Sequence, residues 1–116
     1  CVQPCRRGYT VQDRDKEITL AIENEYIMSP KDLCTLPFLD KVIDAGVKIL
    51  KIEGRGRSPE YTKVTVGVYS EAVKAIQNGE FTEEKIAQWT ERLRSVYNRD
   101  FWDGYYLGRK MGECWL

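Results

Sequence analysis

The sequence predicts an α/β fold, on three observations. Runs with an apolar period of two alternate with runs of helical period. The helical runs open on Ser-Pro or Thr-Glu, the residues that start helices. A strand, a helix and a second strand follow one another over residues 26–53, the order of a parallel βαβ unit. The 116 residues suffice for one small domain with a modest core.

Residues 9–28 read as extended. Tyr9 and Val11 share one side of the first run; Ile18, Leu20 and Ile22 alternate with Thr19, Ala21 and Glu23 in the second. The polar stretch 12–16 between them suits a hairpin loop, and residues 26–28 form a short apolar strand. Ser29-Pro30-Lys31-Asp32 then has the form of a capping box and predicts a helix. Pro37 interrupts or restarts that helix, Phe38, Leu39, Val42 and Ile43 supply its apolar stripe, and Gly46 ends it. Residues 47–53 are the next strand. Ser58-Pro59 starts a second helix with Tyr61, Val64, Val68, Ala72, Ala75 and Ile76 at helical spacing up to Asn78-Gly79. Val64, Val66 and Val68 also alternate like a strand, but the helical pattern persists for about four turns and is preferred. Thr82 caps a third helix, with Glu83 and Glu84 at its positive end and Ile86, Trp89, Leu93, Val96 and Tyr97 as its buried stripe. The tail, 98–116, is rich in Gly and aromatic residues and has no period.

Composition excludes several classes. With 18 basic and 18 acidic residues there is no broad cationic field of a general nucleic-acid binder. No apolar run approaches membrane-spanning length and no signal peptide is visible, so the expected setting is cytoplasmic, away from membranes. The chain has no histidine, which rules out a Ser-His-Asp triad, a Cys-His pair or a His-Glu-x-x-His zinc site within it. It begins with Cys1 rather than Met, which points to a fragment or a processed product.

The most informative stretch is 47–61, VKILKIEGRGRSPEY. Alternation puts Val47, Ile49, Lys51 and Glu53 on one face and Lys48, Leu50 and Ile52 on the other. Lys51 and Glu53 thus lie at the C-terminal end of an apolar strand, where α/β folds build sites, and are the candidate catalytic pair. Arg55 and Arg57 follow in a Gly-Arg-Gly-Arg loop whose glycines let backbone approach a ligand, and the helix start at Ser58 adds partial positive charge. Together these suit a carboxylate, a phosphate or an RNA backbone. The competing reading makes Lys51 and Glu53 structural ion pairs and the arginines solvated.

The cysteines are Cys1, Cys5, Cys34 and Cys114. Cys1 and Cys5 form a tight pair, and Cys34 follows the strand at 26–28, near the same end of the sheet as Lys51 and Glu53. Spacing alone leaves open a zinc or iron-sulfur site, a disulfide, or, for Cys114, a plain buried thiol. Trp89, Phe101, Trp102, Tyr105 and Tyr106 are open to use as a base-stacking platform, against the simpler reading as core and docking residues.

Several segments resemble peptidase family U32, the collagenase-like proteases. These are Cys1-Val-Gln-Pro-Cys-Arg6 with Tyr9; Tyr26-Ile-Met-Ser-Pro-Lys-Asp-Leu-Cys34; Ala45-Gly46-Val47 through Lys51-Ile-Glu-Gly-Arg55 with Ser58-Pro-Glu-Tyr61; and Asn98-Arg-Asp-Phe101 with Gly104-Tyr-Tyr-Leu-Gly108. The resemblance runs in order along nearly the whole chain. It implies the C-terminal portion of a longer protein: residues 1–79 would be the end of a β/α (TIM-like) barrel opened by an N-terminal β-hairpin, and residues 80–116 a C-terminal helix and tail packed on it. It also implies a partner in the N-terminal remainder of the same protein, without which the segment would be inactive. Family members include proteases and iron-sulfur proteins that hydroxylate tRNA or ribosomal RNA bases, some with prephenate as cosubstrate. The resemblance therefore implies a four-iron four-sulfur cluster with Cys1, then Cys34, and Cys5 as an alternative, among its ligands. It also implies that Arg6, Arg55, Arg57 and Tyr61 hold RNA phosphate, a peptide or a small anion. RNA hydroxylation is preferred to a collagenase-like hydrolase, because no nucleophile-base pair is recognisable. Two positions depart from the family pattern: Asp100 stands where the closing motif usually has Gly, and Gly56 where a side chain is usual.

Overall fold

The computed structural model describes residues 4–5, 7–22, 31–96, 99–104 and 106–108. The predicted hairpin forms. Strands β1 (Tyr9–Gln12) and β2 (Thr19–Ile22) pair antiparallel, with Tyr9 opposite Ile22 and Gln12 opposite Thr19. Asp13 closes the loop: its N–H donates to the Ile18 carbonyl and its carboxylate accepts the Ile18 N–H, each at 3.0 Å. The Tyr9 hydroxyl donates to the Pro4 carbonyl and ties the preceding turn to the strand. The strand expected at 26–28 lies outside the described residues.

The helix expected from Pro30 starts later. Asp32–Leu33 is strand β3, a 3-10 turn covers Leu36–Phe38, and α1 runs over Leu39–Asp44. The reason lies in the backbone partners: the N–H groups of Asp32 and Cys34 donate to the carbonyls of Asp100 and Trp102, at 2.8 and 2.9 Å. Strand β4 (Phe101–Trp102), from the tail that has no sequence period, lies parallel to β3. A segment committed to a ladder cannot also wind into a helix. Pro37 sits at the start of the 3-10 turn, where its missing N–H is harmless. Gly46 ends α1 with φ 95, a left-handed conformation that favours glycine.

Residues 47–53 do not form the predicted strand. They pair with no strand among the described residues, and Ile49 is 85% exposed. A parallel relation does exist on this side of the molecule, but it joins β3 to β4, with α1 and two longer helices in the crossover.

Those helices, α2 (Pro59–Gln77) and α3 (Glu83–Arg94), follow their sequence signals closely. The Ser58 hydroxyl accepts the Tyr61 N–H at 3.1 Å and the Thr82 hydroxyl the Lys85 N–H at 3.4 Å. Helical period wins over alternation at the ambiguous valines: Val68 is fully buried while Val66 is exposed. Val68 and Ala72 of α2 meet Trp89 and Leu93 of α3, with Leu36, Leu39 and Cys34 completing the core. Each fully buried Leu or Val there contributes roughly 1.5–3 kcal/mol. A latch outside the core fixes the helix pair: Glu71 accepts Trp89 Nε1–H at 2.9 Å and both Arg92 amino groups at 2.6 and 3.1 Å. The guanidinium holds the Glu71 carboxyl below the usual range. The content of helix and strand makes the chain α/β. Among the described residues no helix is long and apolar enough to cross a membrane.

Candidate functional site

A cavity of about 510 Å³ opens between the N-terminal half of α2, strand β3 and the extended segment 47–57. Tyr61, Thr65 and Tyr69, four residues apart on one face of α2, line one side of it. Lys51, Glu53, Arg55 and Arg57 line the other. The structure therefore gathers most of the described candidate site residues at one cavity. Arg6 and Cys1 lie outside the described residues, and Cys5 is half-buried in the turn before β1.

Lys51 and Glu53 do share a side of the chain, as alternation requires. Their charged atoms are 4.0 Å apart, an ion pair between two largely exposed side chains. Glu53 also accepts the Arg55 N–H at 2.8 Å, which shapes the loop that carries Arg55. The loop glycines serve the turn more than a ligand. Gly56 has φ 71, and a Cβ on Gly54 would lie 2.8 Å from the Thr62 hydroxyl, so a side chain at 54 would force Thr62 or the loop to shift.

Arg57 has a partner of its own. Its guanidinium is 7% exposed, pairs with the Asp32 carboxylate, and lies 4.9 Å above the Tyr61 ring. The second Asp32 oxygen accepts the Arg99 N–H at 2.8 Å. One carboxylate thus joins β3, the Gly-Arg-Gly-Arg loop and the turn into β4 at the cavity floor. Sequence reasoning took Asp32 as a helix cap and missed this role. Four-residue spacing of Tyr61, Thr65 and Tyr69 was a legible signal for the wall they form.

Asp100 adopts φ 66, the left-handed conformation natural to the Gly that the closing motif usually carries there. Its carboxylate accepts the Phe101 N–H at 2.9 Å and pairs with Lys31 at 3.2 Å. Of the aromatic residues considered for stacking, Trp89 is core, Phe101 and Trp102 are half-buried in β4, and Tyr105 lies outside the described residues. Tyr106 is 66% exposed at the cavity edge, its ring tilted against Phe38.

Cys34 is buried beside the cavity wall. The Tyr69 hydroxyl lies 3.8 Å from its sulfur and accepts the Thr35 N–H at 3.2 Å. Burial pushes the Cys34 thiol up and the Tyr69 phenol up to about 12, so both are neutral near pH 7. Burial also raises Tyr61. Among the described residues no three Cys, Asp or Glu side chains converge as a metal site, and one neutral thiol does not make a cluster site by itself.

The protein is thus an α/β chain whose cavity has Lys51 and Arg55 on one side, Tyr61 and Tyr69 on the other, and the Asp32–Arg57 ion pair among its lining residues. Its family is shown by comparison: the model of peptidase family U32 matches residues 1–115, and the chain belongs to that family. It is 57% identical to a collagenase of Porphyromonas gingivalis over 97% of this chain and 27% of that protein. It is 33% identical to tRNA hydroxylation protein P1 of Bacillus subtilis over 93% of this chain and 26% of that protein. Over 66% of this chain and 11% of the other, it is 37% identical to the 23S rRNA 5-hydroxycytidine C2501 synthase of Escherichia coli. The chain thus spans about a quarter of the length of the first relatives it matches. No solved structure matches it.

Proposed function

We propose that this chain is the C-terminal portion of a longer enzyme that hydroxylates bases of tRNA or ribosomal RNA. The observation that carries the reading is the cavity itself, where Lys51 and Arg55 stand at the edge of an aromatic wall made by Tyr61, Tyr69 and Tyr106. Cations beside exposed aromatic rings bind the phosphates and bases of single-stranded RNA. Relatives named for tRNA and rRNA hydroxylation support the reading. In it, Lys51 and Arg55 hold phosphate or a small anionic cosubstrate, Glu53 orients them, and the Asp32–Arg57 pair keeps the floor rigid. The longer protein would supply the rest of a β/α barrel and the further ligands of an iron-sulfur cluster, with Cys1, Cys5 and Cys34 as the contribution of this segment. It would work in the cytoplasm, where its RNA is.

A collagenase-like peptidase is the second reading, favoured by the 57% identity to proteins of that name. One experiment separates the two. Nucleosides of tRNA and ribosomal RNA from a deletion strain are analysed by mass spectrometry, and the purified full-length protein is assayed on gelatin. Loss of a hydroxylated nucleoside with no peptide release supports RNA hydroxylation. An unchanged nucleoside profile with gelatin cleavage supports the peptidase. Iron and sulfide analysis of anaerobically purified full-length protein tests the cluster, and a colourless, iron-free preparation would refute it.

A further inference from the structure

The β1–β2 hairpin stands apart from the core. Among the described residues the core is built from Cys34 onward, and no other element packs on either strand beyond an isolated contact. Register gives the hairpin two unlike faces. Val11 lies opposite Leu20 and Tyr9 opposite Ile22, while Gln12 lies opposite Thr19 and Thr10 opposite Ala21. Gln12 donates to the Thr19 hydroxyl at 3.1 Å, which marks that face as the polar one. Tyr9, Val11 and Ile18 fall on the other. That face is bare: Val11 is 48% exposed and Ile18 61%. A two-stranded hairpin alone is at best marginally stable in water, and it gains its order from a surface that covers its apolar face.

Charge, area and chain length narrow what covers it. The loop at the tip is exposed and carries more acid than base, Asp13, Asp15 and Glu17 against Arg14 and Lys16, which disfavours a phosphate backbone. The face is also small. Two strands of four residues present roughly 14 by 10 Å, whereas a stable complex of separate proteins takes about 800 Å² from each partner. Neither a second copy nor a free protein would be held by so little. A surface in the same polypeptide needs less, because it meets the face at an effective concentration in about the millimolar range. Such a surface has room to exist: this chain covers 27% of the Porphyromonas gingivalis relative, which has most of its length outside the matched part.

We propose that the hairpin is an intramolecular clasp: its Tyr9, Val11 and Ile18 face docks on an apolar surface of the longer protein outside residues 1–116 and joins this segment to the rest. The proposal rests on the reading of this chain as a portion of a longer protein, and it holds for either activity. The Gln12–Thr19 face stays toward water. The Tyr9 hydroxyl, bonded to the Pro4 carbonyl, extends the effect to the turn that carries Cys5, so docking also fixes where that turn stands.

The test is photo-cross-linking and amide hydrogen exchange on the full-length protein. With p-benzoylphenylalanine in place of Val11, the hairpin should cross-link to a peptide from outside residues 1–116, in a product of monomer mass. In place of Thr10, on the opposite face, the same probe should give about tenfold less product. In the natural protein the amides bonded between β1 and β2 should exchange at least about 100-fold more slowly than in an unstructured chain, without added RNA. Val11→Asp should speed that exchange about tenfold or more, the worth of one buried valine, and Thr10→Lys by less than about twofold. A product of dimer mass would assign the face to a second copy, and a cross-link confined to residues 1–116 would assign it to this segment itself. Protection that appears only with added tRNA would assign it to RNA. Each of these overturns the proposal, as does fast exchange with no cross-link from position 11. If the Val11→Asp protein does not fold, the identity of the cross-linked peptide decides alone. The clasp and the RNA reading fail separately, since the nucleoside profile of the deletion strain tests the activity and the cross-link tests only the clasp.

Discussion

The helix pair α2–α3 and the segment 47–53 both carry a clear apolar pattern and meet opposite fates. In α2 and α3 every local signal agrees: capping hydroxyls at Ser58 and Thr82, apolar residues at helical spacing, and a facing helix that covers Val68, Ala72, Trp89 and Leu93. Segment 47–53 has as clear a pattern, but its neighbours would be other strands, and it pairs with none among the described residues. A helix closes its own hydrogen bonds, whereas a strand must borrow them. The helix pair is therefore stable through contacts within the segment, while 47–53 holds its charged side chains in the open, where a ligand can reach them.

Substitutions should break that contrast unequally. The largest effect is expected at Leu39, which is fully buried: Leu39→Ala should lower the unfolding free energy by about 3 kcal/mol in urea titration. Ile49→Ala should change it by less than about 0.5 kcal/mol, since the side chain is already in water. A large loss at Ile49 would mean that 47–53 is packed after all. Asp32→Ala removes the carboxylate paired with a buried guanidinium and should also be severe, at about 3 kcal/mol, whereas the double change Asp32→Leu/Arg57→Met should recover much of it.

Alkaline stability sharpens the same comparison, because the buried phenol and thiol sit where the helix pair meets the cavity. Tyr69 binds its proton more tightly in the folded chain than in the unfolded one, with a value of about 12 against 10.0. The native state thus holds more protons over that interval, and stability falls as pH rises through it, by on the order of 3 kcal/mol for Tyr69. Cys34 acts in the same direction above its ordinary value of 9.0. Urea midpoints between pH 8 and pH 12 should decline in the natural protein and decline less in Tyr69→Phe. The smallest effect is expected for Asp100→Gly, which relieves a left-handed backbone but removes the exposed pair with Lys31. Its urea midpoint should rise slightly, and a marked fall would show that the Lys31 contact matters more than the backbone.

Legibility in the sequence followed the range of the interactions. The caps at Ser58 and Thr82, the stripes of α2 and α3 and the hairpin are local and legible with nearly correct bounds. The face shared by Lys51 and Glu53 follows from alternation even without a ladder, because an extended chain alternates whether or not it is paired. The β3–β4 pair was missed because its halves lie about seventy residues apart and β4 has only two residues. The Asp32–Arg57 node was missed for a related reason: a Ser-Pro-x-Asp sequence has a familiar local explanation, and nothing local shows that the carboxylate is used elsewhere.

The central claim is that the exposed charges on 47–55 act on RNA while the helix pair holds the fold. Complementation of a deletion strain with Lys51→Ala or Glu53→Ala tests it most directly, with nucleoside mass spectrometry and the melting temperature of each purified variant as paired readouts. The account predicts loss of the hydroxylated nucleoside at an unchanged melting temperature. A normal nucleoside profile from a stably expressed variant would contradict it.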